Sequence, residues 1–468
     1  DLSGALLSLR GRSMVLHPYH RLPGPRAHAV SAEALIPFLG LELPGAGAQA
    51  GAARAPAPEG KYAKTPGSAV SAVVFAYLLL CAGAGVVSFV VVLWARLRRG
   101  VRAGGRGAVV WPALGGIVAL GAGLRLALTP HSHLVLTNEY NLMRILEMWT
   151  AGRPDADTAA TFPGLVLPYL LPSLVAGPGF ETCWWTSFGL SLLGIVLVYL
   201  LARRVAGGPG AGLAAALLMA TAPVCVRYSG PLEAGVSNMV VLLVCVLALL
   251  HGTAKKTFFR TLFFCSCLGL LFFVRIHNAP FVLFLAATWL VLYAESPHGS
   301  LVRRFRSGAG AFFAQRRNRF AAAIPAAGLV LYLVFAAGIF INGQYGQDTG
   351  GMLAHIAENL PHNLRFMVST NSFFAFYMAF ALLGLAAAAF IPQRGTGAEI
   401  KIVLVWTGIY FICHLLRYKG LYGAYELALQ QNAAPVNWRT ESRHLIEIAP
   451  PIMILAAVGA ASAIRFSP

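Results

Sequence analysis

The sequence predicts an all-α polytopic membrane protein with about eleven transmembrane helices and juxtamembrane helices on the outer face. Three observations lead there. Only 11% of the 468 residues are charged while 57% are hydrophobic, and the mean hydropathy is +0.68. A soluble domain carries about 25% charged residues and could not cover its surface with so few. The apolar runs are long and unbroken, which excludes the alternating pattern of a β-barrel. The basic residues fall mostly in alternate loops, as the positive-inside rule requires.

The runs fall at 71–94, 107–128, 183–202, 210–227, 234–251, 258–275, 279–294, 321–341, 372–391, 400–416 and 445–464. Each approaches the roughly 20 residues that a helical crossing needs. A twelfth run, 162–177, is short and carries Pro163, Pro168 and Pro172. If it crossed, every later basic loop would change sides, so it reads as a juxtamembrane helix. With that choice the inner loops hold 19 basic residues and two acids, Glu295 and Glu399. The outer loops, leaving out residues 1–68, hold ten basic residues and eleven acids. The N-terminus is then outside and the C-terminus inside. The net charge of +19 is topogenic and calls for no nucleic-acid partner.

Three sections follow. Residues 1–68 form an Ala/Gly/Pro-rich outer extension with the composition of a segment that holds little regular structure. Residues 69–106 hold an extra first span and a basic inner loop. Residues 107–468 form the membrane core, with an outer loop at 129–182. The chain starts at Asp1 rather than Met, which reads as a processed or truncated start. The seven cysteines lie in or beside apolar runs and read as small buried side chains.

Ionisable groups beside spans are functional candidates, and here they gather on the outer side. Asn138-Glu139-Tyr140 opens a run of helical spacing in which Tyr140, Met143, Leu146 and Glu147 share faces. Later outer turns bring Arg227 and Glu233, then Arg275, then Tyr345 and Asp348 in a Gly-rich loop, then Arg443-His444 before the last span. A carrier would need polar groups near the midplane, which the spans lack. His131-x-His133 supplies two ligands for a divalent metal and no third, so no metal site is assigned and cofactor use is left open. Arg125 at an outer span end reads as a snorkelling cation, and Trp184-Trp185 as an interfacial belt.

The order of these motifs resembles the GT-C glycosyltransferases that use polyprenyl-phosphate sugars, the group with protein O-mannosyltransferases and aminoarabinose transferases. The resemblance rests on Asn138-Glu139-Tyr140, Gly152-Arg153-Pro154, Phe162-Pro163-Gly164 with Tyr169, Glu233, and Arg443-His444 with Pro450. It covers about 107–464, with Asn138 where an acidic pair would have its first carboxylate. It implies a GT-C fold and transfer of a sugar to a lipid, glycan or protein acceptor on the non-cytoplasmic face. Glu139 would be the base and Glu233 an acceptor-side residue. Arg443, His444, Arg275 and Arg227 would hold the donor phosphate, and Asn138, Tyr140, Tyr345 and Asp348 would line the substrate. Membrane lipids are the other implied partner. The competing readings are a non-catalytic subunit that keeps the fold, and a lipid or solute transporter. The Ala/Gly/Arg-rich composition suggests a bacterial inner membrane, with the endoplasmic reticulum as the alternative.

Overall fold

The computed structural model describes residues 68–100, 110–129, 137–152, 163–230, 234–254, 256–275, 278–294, 300–341, 375–390, 397–416 and 442–466, with short helical pieces between 356 and 364. Among these residues every regular element is helical. The helices are α1 (Ser68–Gly100), α2 (Val110–Leu128), α3 (Thr137–Thr150), α4 (Leu167–Ala176), α5 (Phe180–Val205), α6 (Pro209–Thr221) and α7 (Pro223–Arg227). Then come α8 (Ala234–Ala254), α9 (Phe258–Leu271), α10 (Ala279–Tyr293), α11 (Leu301–Ala314) and α12 (Arg316–Ile341). The last three are α13 (Ala375–Phe390), α14 (Gly397–Leu415) and α15 (Ala449–Phe466). Two 3-10 turns, Pro163–Leu165 and Ser442–Glu447, precede α4 and α15.

Each of the eleven apolar runs is helical over most of its length. Four helices, α1, α2, α5 and α8, are long and apolar enough to cross a bilayer by themselves. Lone helices of this kind need water-free surroundings to hide their side chains, so the chain is an integral membrane protein. The run at 210–227 is two helices rather than one, because Pro223 cannot donate its missing N–H to the turn before it. The Pro-rich run at 162–177 is a 3-10 turn and the ten-residue α4, half the length of a crossing.

Small residues let the helices meet. Gly384 of α13 lies against the backbone of Leu455 and Gly459 of α15, and Gly459 lies against Phe380, so a Cβ at either glycine would strike a carbonyl oxygen. Without a hydrophobic drive between helices in lipid, such backbone contact supplies the dispersion energy of association. These contacts put the crossing of α13 and α15 at Gly384 and Gly459. Tyr77 of α1 donates to the Ile324 carbonyl of α12 at 2.9 Å and packs over Gly269 of α9. The first span is thereby seated on the α9–α12 pair. α8 is the most enclosed of the four long helices, buried among α5, α9 and α10.

Two ends of the bundle follow from these contacts. One gathers the starts of α8, α10 and α15 and the ends of α9 and α14. The other gathers the ends of α5, α8 and α10 and the start of α14.

Candidate functional site

The first of these ends carries a buried polar web. Glu447, at the close of the second 3-10 turn, has no exposed side-chain surface. One oxygen, Oε1, lies 2.9 Å from Arg275 Nε, and Oε2 lies 3.7 Å from His414 Nε2. A carboxylate in an apolar bundle persists only with such partners, because losing water costs it several kcal/mol. His414 stands one turn after Tyr410 on α14, so both face the same neighbours. The Tyr410 hydroxyl donates to Asn278 Oδ1. Asn278 Nδ2 donates in turn to Asn238 Oδ1 of α8 at 2.8 Å and to the Leu271 carbonyl at 3.1 Å. One residue before Asn238, Ser237 donates to the Tyr169 hydroxyl at 3.2 Å, and Tyr169 lies 2.9 Å from Ser187. The web thus ties α4, α5, α8, the α9–α10 turn, α14 and the entry to α15.

Local sequence explains the placement. Arg275 sits past the C-terminus of α9, where the chain turns before Pro280, and Asn278 opens α10. Pro450 and Pro451 lie in the first turn of α15, so the residues before them cannot extend that helix and close as a 3-10 turn. This turn packs against α7 and α8, which sets the backbone of Arg443 and His444 beside the helix that ends in Arg227. Arg275 keeps 15% of its side chain exposed while Glu447 keeps none, so the cation is the member of the pair that a ligand can reach.

The 3-10 turn Pro163–Leu165 joins the helix of Glu139 to the same end. Its Gly164 N–H donates to the Phe273 carbonyl at 2.9 Å, and a Cβ there would stand 2.8 Å from that peptide group. Only glycine allows this approach. α3 packs on this turn and on α4. Its buried stripe is Leu142, Ile145, Leu146 and Trp149, with Trp149 against Phe75 of α1 at 4.6 Å between ring centres. The run is helical as its spacing predicts; Met143 is half-buried against the core beside Leu146, while Glu147 is exposed. The stripe follows i, i+3, i+4, i+7 from Leu142, the usual period of a face laid on a core.

An apolar cavity of about 260 Å3 opens beside this turn, lined by Gly85, Gly164, Pro168, Val241, Phe263 and Val274 among others. It lies among α1, α4, α8 and α9 and reaches the residue next to Arg275.

Of the sequence candidates, Arg275 and Arg227 are described in full, and the elements of both pack near the second 3-10 turn. Asn138, Glu139, Tyr140, Arg443 and His444 are described only by the course of their helix or turn. Glu233, Tyr345, Asp348, His131 and His133 lie outside the described residues, as do residues 1–67. Arg125 does not snorkel: it is fully buried. Its Nε donates to Ser191 at 2.8 Å, and one terminal nitrogen donates to the Gly121 and Ala220 carbonyls at 3.0 Å. It staples α2 to α5 and α6. Trp184 is likewise buried, stacked on Phe188, while Trp185 is exposed as a belt residue would be. Among the described residues no three His, Cys, Asp or Glu side chains gather as a metal site. All seven cysteines are free thiols and six are buried.

No family model matches the chain, and no curated protein matches it. Among solved structures it is similar to the oligosaccharyltransferase of Archaeoglobus fulgidus in its apo form. The identity there is 15% and the TM-score 0.47, over 76% of this chain and 51% of that one. It is also similar to the archaeal oligosaccharyltransferase AglB of the same organism in complex with an inhibitory peptide and a dolichol-phosphate. In that case the identity is 14% and the TM-score 0.47, over 76% of this chain and 50% of that one. A likeness of this extent decides neither fold nor activity, and this chain spans about half the length of either protein.

Proposed function

We propose that this protein is a GT-C-type membrane glycosyltransferase. It moves a sugar from a polyprenyl-phosphate donor to a lipid, glycan or protein acceptor at the non-cytoplasmic face. The observation that carries the proposal is the meeting, at one end of the bundle, of a partly open Arg275 with the elements bearing Arg227, Arg443 and His444. A polyprenyl-phosphate sugar is a phosphodiester, a monoanionic headgroup on a long apolar tail, and its phosphate gains a second charge when the sugar leaves. The cations suit the phosphate, since guanidinium binds it bidentately. The adjoining apolar cavity suits the first isoprene units.

The chemistry then divides among the chain's residues. The acceptor hydroxyl attacks the anomeric carbon as its proton passes to the Glu139 carboxylate. The bond from that carbon to the phosphate oxygen breaks through an oxocarbenium-like state. The phosphate leaves with its electron pair, and the arginines stabilise the charge it gains. Glu447 is a positioning residue: its carboxylate holds the Arg275 side chain through Nε. Glu233 lies on the acceptor side in this scheme.

The test is transfer by the purified protein in nanodiscs, with radiolabelled polyprenyl-phosphate sugars and a membrane lipid extract. The Glu139→Gln protein should transfer at least about a hundredfold more slowly, the contribution of a positioned base. Undiminished transfer by that variant would move the base to another carboxylate. Asn138, where the resemblance calls for a second acid, favours a second reading as a non-catalytic relative. That reading predicts saturable binding of the lipid-phosphate sugar without transfer.

A further inference from the structure

At the opposite end of the bundle, α11 has a pattern that the proposed sugar transfer does not use. It starts at a Ser300 cap, whose hydroxyl accepts from the Arg303 N–H at 3.3 Å, and ends at Ala314 before α12 turns away. Gly308 lies on the backbone of Leu290 and Ala294 at the end of α10, and Phe312 packs on Tyr293 at 5.2 Å. The corner to α12 is fixed by buried Asn318. Its Nδ2 donates to the Tyr293 hydroxyl at 2.8 Å, to the Phe312 carbonyl at 3.2 Å and to Gln315 Oε1 at 3.2 Å. So α11 is held across the end of α10 by its Gly308–Phe312 side.

The rest of its surface is amphipathic. Val302, Phe305, Ala309 and Phe313 follow i, i+3, i+7, i+11 and form one apolar stripe. Val302 is 60% exposed, Phe305 38% and Phe313 46%. On the flanks and the next turn stand Arg303, Arg304, Arg306, Arg316, Arg317 and Arg319, and residues 301–341 hold no acid. Beyond the corner, α12 carries exposed Phe320 in its first turns. A topogenic loop needs the arginines but not the exposed stripe. A water-facing helix would tolerate the arginines but not four apolar residues in line.

We infer that α11 lies in the membrane plane and docks on anionic phospholipid headgroups, with its stripe sunk into the acyl boundary of the leaflet at this end. Apolar burial and attraction of the arginines to lipid phosphates act together there, as they do for basic interfacial helices. The inference is independent of the sugar-transfer reading.

Amide hydrogen exchange of the full chain tests it, in nanodiscs of phosphatidylcholine alone and of phosphatidylcholine with phosphatidylglycerol. Peptides within 300–320 should exchange about tenfold more slowly in the anionic discs. Peptides from buried α8 should not differ. The quadruple variant Arg303→Gln, Arg306→Gln, Arg316→Gln and Arg317→Gln, all exposed positions, should lose the difference. Equal exchange of the wild type in the two discs would overturn the inference, as would a difference that the variant keeps. Should the variant fail to fold, the two wild-type samples decide alone.

Discussion

The two ends of the bundle spend their charges differently. At the end with Glu447, a buried carboxylate, a histidine and an arginine face one another within a web of asparagine and tyrosine side chains. At the other end, cations rest on backbone carbonyls and aromatic faces. Lys256 donates to the Tyr293 carbonyl at 2.6 Å and stands 4.6 Å from that ring, and Arg260 donates to the His251 carbonyl at 2.7 Å. The one ion pair described there, Arg204 with Glu399, is long at 3.8 Å and partly solvated. A cation that caps a helix end can leave at little cost. A cation paired with a buried acid cannot leave without stranding its partner. The difference separates an end organised around a fixed internal charge from an end organised around an outer surface.

That contrast is broken most severely at Glu447. Glu447→Ala removes the only carboxylate described beside Arg275 and His414 and should destabilise the protein by about 3–5 kcal/mol, as for other half-deleted buried pairs. Thermal unfolding in detergent measures it. The double variant Glu447→Leu with Arg275→Met should recover most of the lost stability, since an apolar pair of similar volume needs no compensation. If the pair served stability alone, the double variant would also bind a polyprenyl-phosphate sugar as the wild type does. The proposed function requires that it does not.

Next in size is the α13–α15 contact that anchors Glu447's turn. Gly384→Val forces side-chain atoms into the Leu455 carbonyl. The helices must separate, at a cost of about 1–3 kcal/mol or more. Loss of stability without loss of the long α1–α9 packing, read as retained exchange protection of α9, would localise the damage to this end. The equivalent insertion at the other end, Gly308→Val, should instead loosen α11 from α10, leaving the web and any donor binding unchanged.

Much of the helical plan was legible because it rests on hydropathy alone: the apolar runs became helices, with 210–227 split in two, and the Pro-rich 162–177 run became a short one. The break at Pro223 was missed: 210–227 reads as one apolar run, although proline lacks the N–H that would continue it. The web was not. Glu447 and His414 lie inside runs counted as spans, and an ionisable group inside a span was the available signal. The outer loops, richer in ionisable groups, masked that signal. Their partnership depends on α14 and the α9–α10 turn meeting, 139 residues apart between Arg275 and His414. No periodicity encodes that distance. Arg125 was misread for a related reason. Sequence gives its depth near a span end but not that Ser191 and Ala220 would close over it. Asn238 and Asn278 carry no charge and no pattern, and only their contact marks them.

The smallest effect sharpens the comparison from the other side. Asn318→Ala removes three acceptor contacts at the α11–α12 corner and should cost about 1–3 kcal/mol, because the Tyr293 hydroxyl and two acceptors lose their buried donor. Lys256→Met, against the same tyrosine, should cost only about 0.5–1 kcal/mol, the worth of an exposed cation over a ring. High salt should screen the lysine's share and leave that of the asparagine. If Lys256→Met proved as damaging as Glu447→Ala, the charges at the two ends would be doing the same structural work. The cationic end would then be a second internal site rather than a surface, and the contrast between the ends would fall.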